Sequence, residues 1–271
     1  MRLRWLGWAG AEIEHDGATV VIDPLHDAGA VFAYLGDQAA AIVVPEVVAP
    51  SAGRALAGLV THLHRDHADA PALKTALRPD APVLEPRGPG DDSVDHLALA
   101  QADRELTAAG LDRRLLAPWE AVRIEPFTLT ALPAADGIGD PQVAWLIETN
   151  EGRVLHLGDT MFHGYWWRIA RRHGPFDAVL VPVNGAVLTF PHRQPPSPSP
   201  GVMDPDQAAT AARILGARLA IPIHDHGYEL HGAYEPVADA AQRFVTAATR
   251  QKVPTLALHP GQNITITPPH A

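Results

Sequence analysis

Four apolar runs, far apart along the chain, each stop at a histidine or an aspartate, and this recurrence limits the folds open to the sequence more than any single motif does. Val20-Val21-Ile22 runs into Asp23, Leu59-Val60 into Thr61-His62, Val154 to Leu157 into Gly158-Asp159, and Leu219 to Ile223 into His224. Short apolar runs bounded by Gly, Pro or Asp are strand signals. A fold that gathers such strand ends at one place assembles a cluster of nitrogen and oxygen donors there.

The densest of these endings is Thr61-His62-Leu63-His64-Arg65-Asp66-His67, with four potential metal ligands inside residues 62–67. Alternate residues on an extended segment point the same way, so His62 and His64 can share one cation. The turn that follows brings Asp66 and His67 to a neighbouring one. Asp159 ends its strand after Gly158, where the backbone can approach closely, and a carboxylate there can bridge two cations. By itself Gly158-Asp159-Thr160 is a common turn or helix cap and reads as structural rather than catalytic; paired with the His62 to His67 element it reads as functional. At the fourth ending His224 is preferred as a ligand over His226, which shares its face only if the strand continues and then contacts a ligand or the substrate.

The chain has no cysteine, so disulfides, thiolate ligands and a cysteine nucleophile are excluded, and any metal sits among nitrogen and oxygen donors. There is also no G-x-S-x-G serine elbow, which leaves water as the nucleophile. The formal net charge of -10 argues against a large nucleic-acid footprint. No stretch reaches the roughly 18 uncharged apolar residues of a membrane span, and the N-terminus meets glutamates and a histidine before any signal-like apolar run. The expectation is a cytoplasmic protein acting on a small-molecule substrate, with no nucleic-acid or membrane partner; a homo-oligomer is compatible with the sequence.

Strands are expected at Leu3–Trp8, Ala11–His15 and Thr19–Asp23 as an opening meander, with the turn signal Asp16-Gly17 between the last two. Helices are expected at Ala68–Leu77 and Ala98–Ala109. Strands return at Val122–Ile124, Phe127–Leu132, Val143–Glu148, Val154–Leu157 and Val179–Val183. Asp204 caps a helix over Pro205–Leu215 that Gly216 ends; another helix lies near Pro236–Thr249, and terminal strands lie around Leu256 and Ile264. Phe190 to Gly201, rich in Pro and Ser, is an extended surface loop, read equally as a flexible cover or a tolerated insertion.

The elements His62 to His67, His156 to Thr160 and Ile221 to His226, in this order, resemble the metallo-β-lactamase superfamily, and the similarity runs from Leu3 to Ile266. The opening LRWLGWAGAEIEHDGATVVIDP and the later MDPDQAATAARILGARLAIPIH look most like the branch containing ascorbate-6-phosphate lactonase and related uncharacterised hydrolases. The resemblance implies a single domain over residues 1–271 with a four-layer αββα sandwich of the α/β class. It implies a hydrolase holding two divalent ions, Zn2+ first and Mn2+ or Fe2+ as alternatives. His62 and His64 would bind the first ion, Asp66, His67 and His224 the second, and Asp159 would bridge, with Asp66 and Asp159 also serving the chemistry. Asp23 would support the site's loops by hydrogen bonding.

The family's histidine near residues 130–140 is absent here, and Asp136 stands in its place. A carboxylate makes the first site harder and shifts it toward manganese or iron; Asp136-Gly137 is also a turn signal in its own right. Phe162, His163, Tyr165, Trp166 and Trp167 form an aromatic cluster that either lines the pocket or packs in the core, and His163 is a candidate contact to substrate or ligand. His192 and Arg193 are candidates to hold an anionic group. The activity expected is attack by metal-activated water on a small ester, lactone or phosphoester. The alternatives are a non-catalytic or single-metal scaffold and a dimetal redox protein of the same fold.

Overall fold

The computed structural model describes residues 1–32, 44–88, 97–190, 194–225 and 229–267. The chain first lays down β1 (Arg2–Gly7), β2 (Gly10–His15), β3 (Ala18–Ile22), helix α1 (Ala28–Phe32), β4 (Ala55–Leu59), α2 (Ala70–Ala76), β5 (Pro82–Pro86), α3 (Leu97–Ala108) and β6 (Asp112–Leu116). Next come β7 (Ala121–Ile124), β8 (Phe127–Pro133), β9 (Val143–Thr149), β10 (Gly152–His156), α4 (Trp166–His173) and β11 (Ala178–Pro182). The chain continues through β12 (Val187–Leu188), α5 (Pro205–Leu215), β13 (Ala220–Ile223), β14 (Tyr234–Glu235), α6 (Ala240–Arg250) and β15 (Asn263–Thr265).

These strands form a seven-stranded sheet in the order β15-β1-β2-β3-β4-β5-β6 and a six-stranded sheet in the order β13-β11-β10-β9-β8-β7, with β12 and β14 as a small separate ribbon. Strand periodicity explains the layering. Trp145, Ile147, Val154 and Leu180 face inward and meet Leu3, Trp5, Ile13, Ile22 and Leu59 of the other sheet in one buried cluster. Their neighbours Leu146, Leu155 and Val179 face outward, against Trp166, Ile169, Leu215 and Phe244 of α4, α5 and α6. On the far side Val21, Val60 and Val83 pack with Leu73 of α2 and Leu106 of α3. The result is the αββα order of layers. Each such side chain, fully removed from water, contributes about 1.5–3 kcal/mol before entropy is counted.

The expected meander, both helices around residues 70 and 100 and the helix at Pro205 are present. Asp204 accepts from Gln207 N at its cap while the Gln207 side chain answers the Asp204 amide, and Gly216 closes the helix at φ 69°. Six elements lie outside the expectations: the short α1, β12 and β14, and strands β5 and β6 and helix α4. Strand β5 has proline at each end; β6 opens Asp112-Arg113-Arg114 and looks polar because it is a sheet edge, with Arg113 paired to Glu85 at 2.9 Å. Helix α4 buries only Trp166 and Ile169. The strand expected around Leu256 is instead an isolated bridge between Thr255 and Ala220. Residues 194–199 of the Pro-rich loop are exposed. Among the described residues no helix is long and apolar enough to cross a membrane.

Candidate metal centre

Strand β4 ends at Leu59, and residues 61–67 continue as bends and turns, so the extended alternation expected for His62 and His64 is absent. The two imidazoles meet all the same, because the segment folds back on itself: His62 Nε2 lies 2.8 Å from His64 Nδ1. Two groups of donors form. His62, His64, Asp136 and Asp159 make one and Asp66, His67 and His224 the other, and within each group one donor atom per residue lies within 4.8 Å of the others. Asp159 Oδ2 stands 3.5 Å from His62 Nε2, and Asp66 Oδ2 stands 3.5 Å from His67 Nε2 and 3.9 Å from His224 Nε2.

Hydrogen bonds fix which ring nitrogens face the interior of each group. Asp23, fully buried, accepts from Thr61 N (2.8 Å), Thr61 Oγ1 (2.6 Å) and His67 Nδ1 (2.8 Å). With the Thr61 hydroxyl donating to Asp23, His62 Nδ1 donates to Thr61 Oγ1 at 3.0 Å, and its Nε2 presents a lone pair. His64 Nε2 donates to Asp140 at 2.9 Å, so its Nδ1 is the donor atom facing His62. These are the oriented histidines that metal sites use, each held through its other nitrogen.

The charges tell the same story. Burial, reinforced by His67, His64 and His224, pushes the His62 imidazole well below its ordinary value. Burial also lowers His64 and His67, but the carboxylates around each win: Asp140, Asp136, Asp159 and Asp66 bring His64 up to about 9. Asp66, Asp23 and Asp159 bring His67 up to about 9. Burial would raise the Asp66 carboxyl, yet His67, His224 and His64 hold it far below the usual carboxylate range. Asp136 is raised by burial, opposed by His64 and assisted by Asp159. Such a site concentrates negative charge that protons balance when no cation does.

A divalent cation fits both groups on direct observation. His67 Nε2, both ring nitrogens of His224 and Asp159 Oδ1 are buried polar atoms with no hydrogen-bond partner among the described residues. Such atoms are costly to bury unless something engages them. An all-nitrogen-and-oxygen donor set suits zinc, manganese or iron.

Asp136 proves to be a turn residue whose carboxylate also faces the first group. Its Oδ2 accepts from Ile138 N (2.7 Å) and Asp140 N (3.0 Å), closing the turn that carries Asp140 to His64. The next residue, Gly137, is pressed against Gly201, whose backbone a Cβ at 137 would meet at 2.3 Å. Thr160, directly after Asp159, ties this segment down, accepting from Ala135 N at 2.8 Å while its own carbonyl accepts from Met203 N.

Several residues here escaped the sequence. Asp140 behind His64 reads as loop, and Gln142 is a buried carboxamide with neither polar atom partnered among the described residues. Its Nε2 explains Gly158, where a Cβ would lie 2.8 Å away on a backbone with φ +65°. Trp8 donates its indole N–H to Asp66 Oδ2 at 2.9 Å and lies tilted against the His224 ring, with centroids 3.8 Å apart. Of the aromatic cluster, Trp166 is core, Trp167 is 59 % exposed, and His163 stacks on Trp166 at 3.7 Å with burial lowering its pKa to about 4. His192, Arg193 and His226 lie outside the described residues.

The family model for the beta-lactamase superfamily domain matches residues 18–224. The UPF0173 metal-dependent hydrolase MK1542 of Methanopyrus kandleri is 26% identical over 252 residues, covering 90% of this chain and 90% of that protein. Among solved structures, a possible metal-dependent hydrolase from Veillonella parvula superposes with a TM-score of 0.69 at 15% identity, over 98% of this chain and 99% of the other. CmlA, a diiron beta-hydroxylase from Streptomyces venezuelae, gives 0.67 at 18% identity, over 97% of this chain and 53% of its own. The sandwich, the strand-end donors and the family match lead to one statement: the chain belongs to the metallo-β-lactamase superfamily.

Proposed function

We propose that residues 1–271 act as one domain, a metal-dependent hydrolase that directs water onto a small carboxylic ester, lactone or phosphoester, with a lactone or ester preferred. The observation that carries this reading is the convergence of seven donors from four separate segments into two adjacent groups. His62, His64 and Asp136 would hold one cation, Asp66, His67 and His224 the other, and Asp159 would serve both. Bound there, a pair of divalent cations would lower the pKa of water to about 7 and would polarise a carbonyl or phosphoryl oxygen.

The chain's own residues do the rest. Asp66, kept ionised by its imidazole neighbours, orients the attacking water and accepts a hydrogen bond from it. Asp23 and Asp140 hold His67 and His64 in their tautomers. Zinc is the first candidate; the carboxylate at Asp136 makes manganese or iron the alternatives. Elemental analysis of the purified protein is expected to give two divalent ions per chain. A panel of lactones, esters and phosphoesters is expected to yield turnover that falls about a thousandfold or more in His62→Ala and Asp159→Ala. Equal inertness of wild type and variants across the panel would refute the hydrolase. A flavin-free protein with iron absorbance and no hydrolysis would favour the redox alternative.

A further inference from the structure

We infer that Trp8 is a positioning residue of the second donor group, and that its indole N–H, rather than its bulk, sets the orientation of the Asp66 carboxylate. The inference rests on reading Asp66, His67 and His224 as ligands of one cation.

Trp8 occupies the tight turn between β1 and β2 with φ +49°, a left-handed backbone that a bulky side chain adopts only when its surroundings impose it. Its surroundings do so from every side. The Trp8 carbonyl accepts from His224 N at 3.1 Å and from Trp5 Nε1 at 3.2 Å, and the next carbonyl, Ala9, accepts from His156 Nε2 at 2.7 Å. The backbone of this turn is thus fastened to the ends of β10 and β13, the strands that lead to Asp159 and His224.

The side chain then addresses two of the three donors in the group. Its ring lies against the His224 imidazole, at 3.8 Å between centroids and 38° between planes. Its N–H points to Asp66 Oδ2, the same oxygen that faces His67 Nε2 and His224 Nε2. Trp8 is 2 % exposed, so substrate cannot lie on it and its influence passes through the ligands. A carboxylate on a turn, itself partly exposed, has a free torsion about its Cβ–Cγ bond. A charge-assisted hydrogen bond from a rigid, buried donor removes that freedom and holds Oδ2 toward the imidazoles.

The test separates the N–H from the ring. Trp8→Phe keeps an aromatic face for His224; replacing Trp8 by benzothienylalanine through nonsense suppression keeps the full indole shape and removes only the donor. Each protein, stripped of metal, is titrated with Zn2+ against a competing chelator and, separately, with Co2+ while the visible absorption is recorded. In both variants the Zn2+ equivalent that Asp66→Asn weakens is expected to bind about 10- to 100-fold more weakly while the other changes less than about threefold. The cobalt bands of that same equivalent are expected to shift as the carboxylate reorients. The metal-free isostere should unfold within a few degrees of wild type.

An isostere that binds both equivalents like wild type, with unchanged cobalt bands, would overturn the role of the N–H. Equal weakening of both equivalents would overturn it as well, because the defect would then be general. If wild type takes up fewer than two ions and Asp66→Asn leaves uptake unchanged, the two-cation reading fails and takes this inference with it. Two-ion uptake that Asp66→Asn reduces, together with a normal isostere, defeats the Trp8 assignment alone.

Discussion

The two donor groups share Asp159 as a near neighbour, yet they are built differently. Asp66, His67 and His224 stand on a buried scaffold: Asp23 and His67 have no exposed side-chain surface, His224 is 2 % exposed, and three of the supporting residues, Trp8, Asp23 and His224, have positive φ. The other group is mixed: His62 and Asp159 are buried, while His64 and Asp136 are partly exposed, with Asp136 closing a turn by its own carboxylate and Asp140 reaching His64 from the end of that turn. A buried, strained scaffold fixes geometry ahead of any cation. The turn that bears Asp136 is less buried, although Thr160 and Gly201 brace it, so its one donor is held by fewer buried contacts than those on the scaffold.

The contrast predicts unequal consequences, and the largest should come from Asp23. Asp23→Ala strands the buried Thr61 amide and hydroxyl and frees His67, so it should cost about 3 kcal/mol of stability. It should also weaken the second cation by about 10- to 100-fold, read by denaturant melts and chelator competition. A mild effect on both would mean that the scaffold is not what fixes this group. Asp140→Asn keeps an acceptor for His64 but removes its charge, and should weaken the first cation by only about three- to tenfold. A larger loss than that of Asp23→Ala would reverse the ranking of the two groups.

The smallest effect is expected at His163, beyond both groups. Its folded value of about 4 lies below the ordinary 6.5, so the unfolded chain binds more protons as pH falls from about 6.5 to about 4. The neutral ring in the fold therefore costs stability progressively across that window and nothing above it. His163→Phe should narrow the stability gap between pH 7.5 and pH 5 by on the order of 1 kcal/mol without changing metal uptake. An unchanged gap would mean the ring is hydrated or protonated in the fold.

What could be read from the sequence follows from how local each cause is. His62, His64, Asp66 and His67 announce themselves by spacing, and Asp23, Asp159 and His224 by ending apolar strands, so their convergence was legible in outline. For His62 and His64 the spacing marks the right pair, but a turn and not an extended segment brings them together. Trp8 and Asp140 were hidden because their roles depend on partners 58 and 76 residues away. A tryptophan at positive φ gives no local signal as a glycine would. Strand β6 was missed because an edge strand needs no apolar face, and α4 because only two of its eight residues turn inward.

The contact between Gly137 and Gly201 has a consequence for how this centre varies. Backbone there touches backbone with no side chain as a cushion, so the turn bearing Asp136 takes its position from the far end of the Pro-rich loop. Lengthening or stiffening that loop would shift a candidate donor without altering any donor's identity. Preference among cations can therefore drift through Gly201, a residue outside both donor groups.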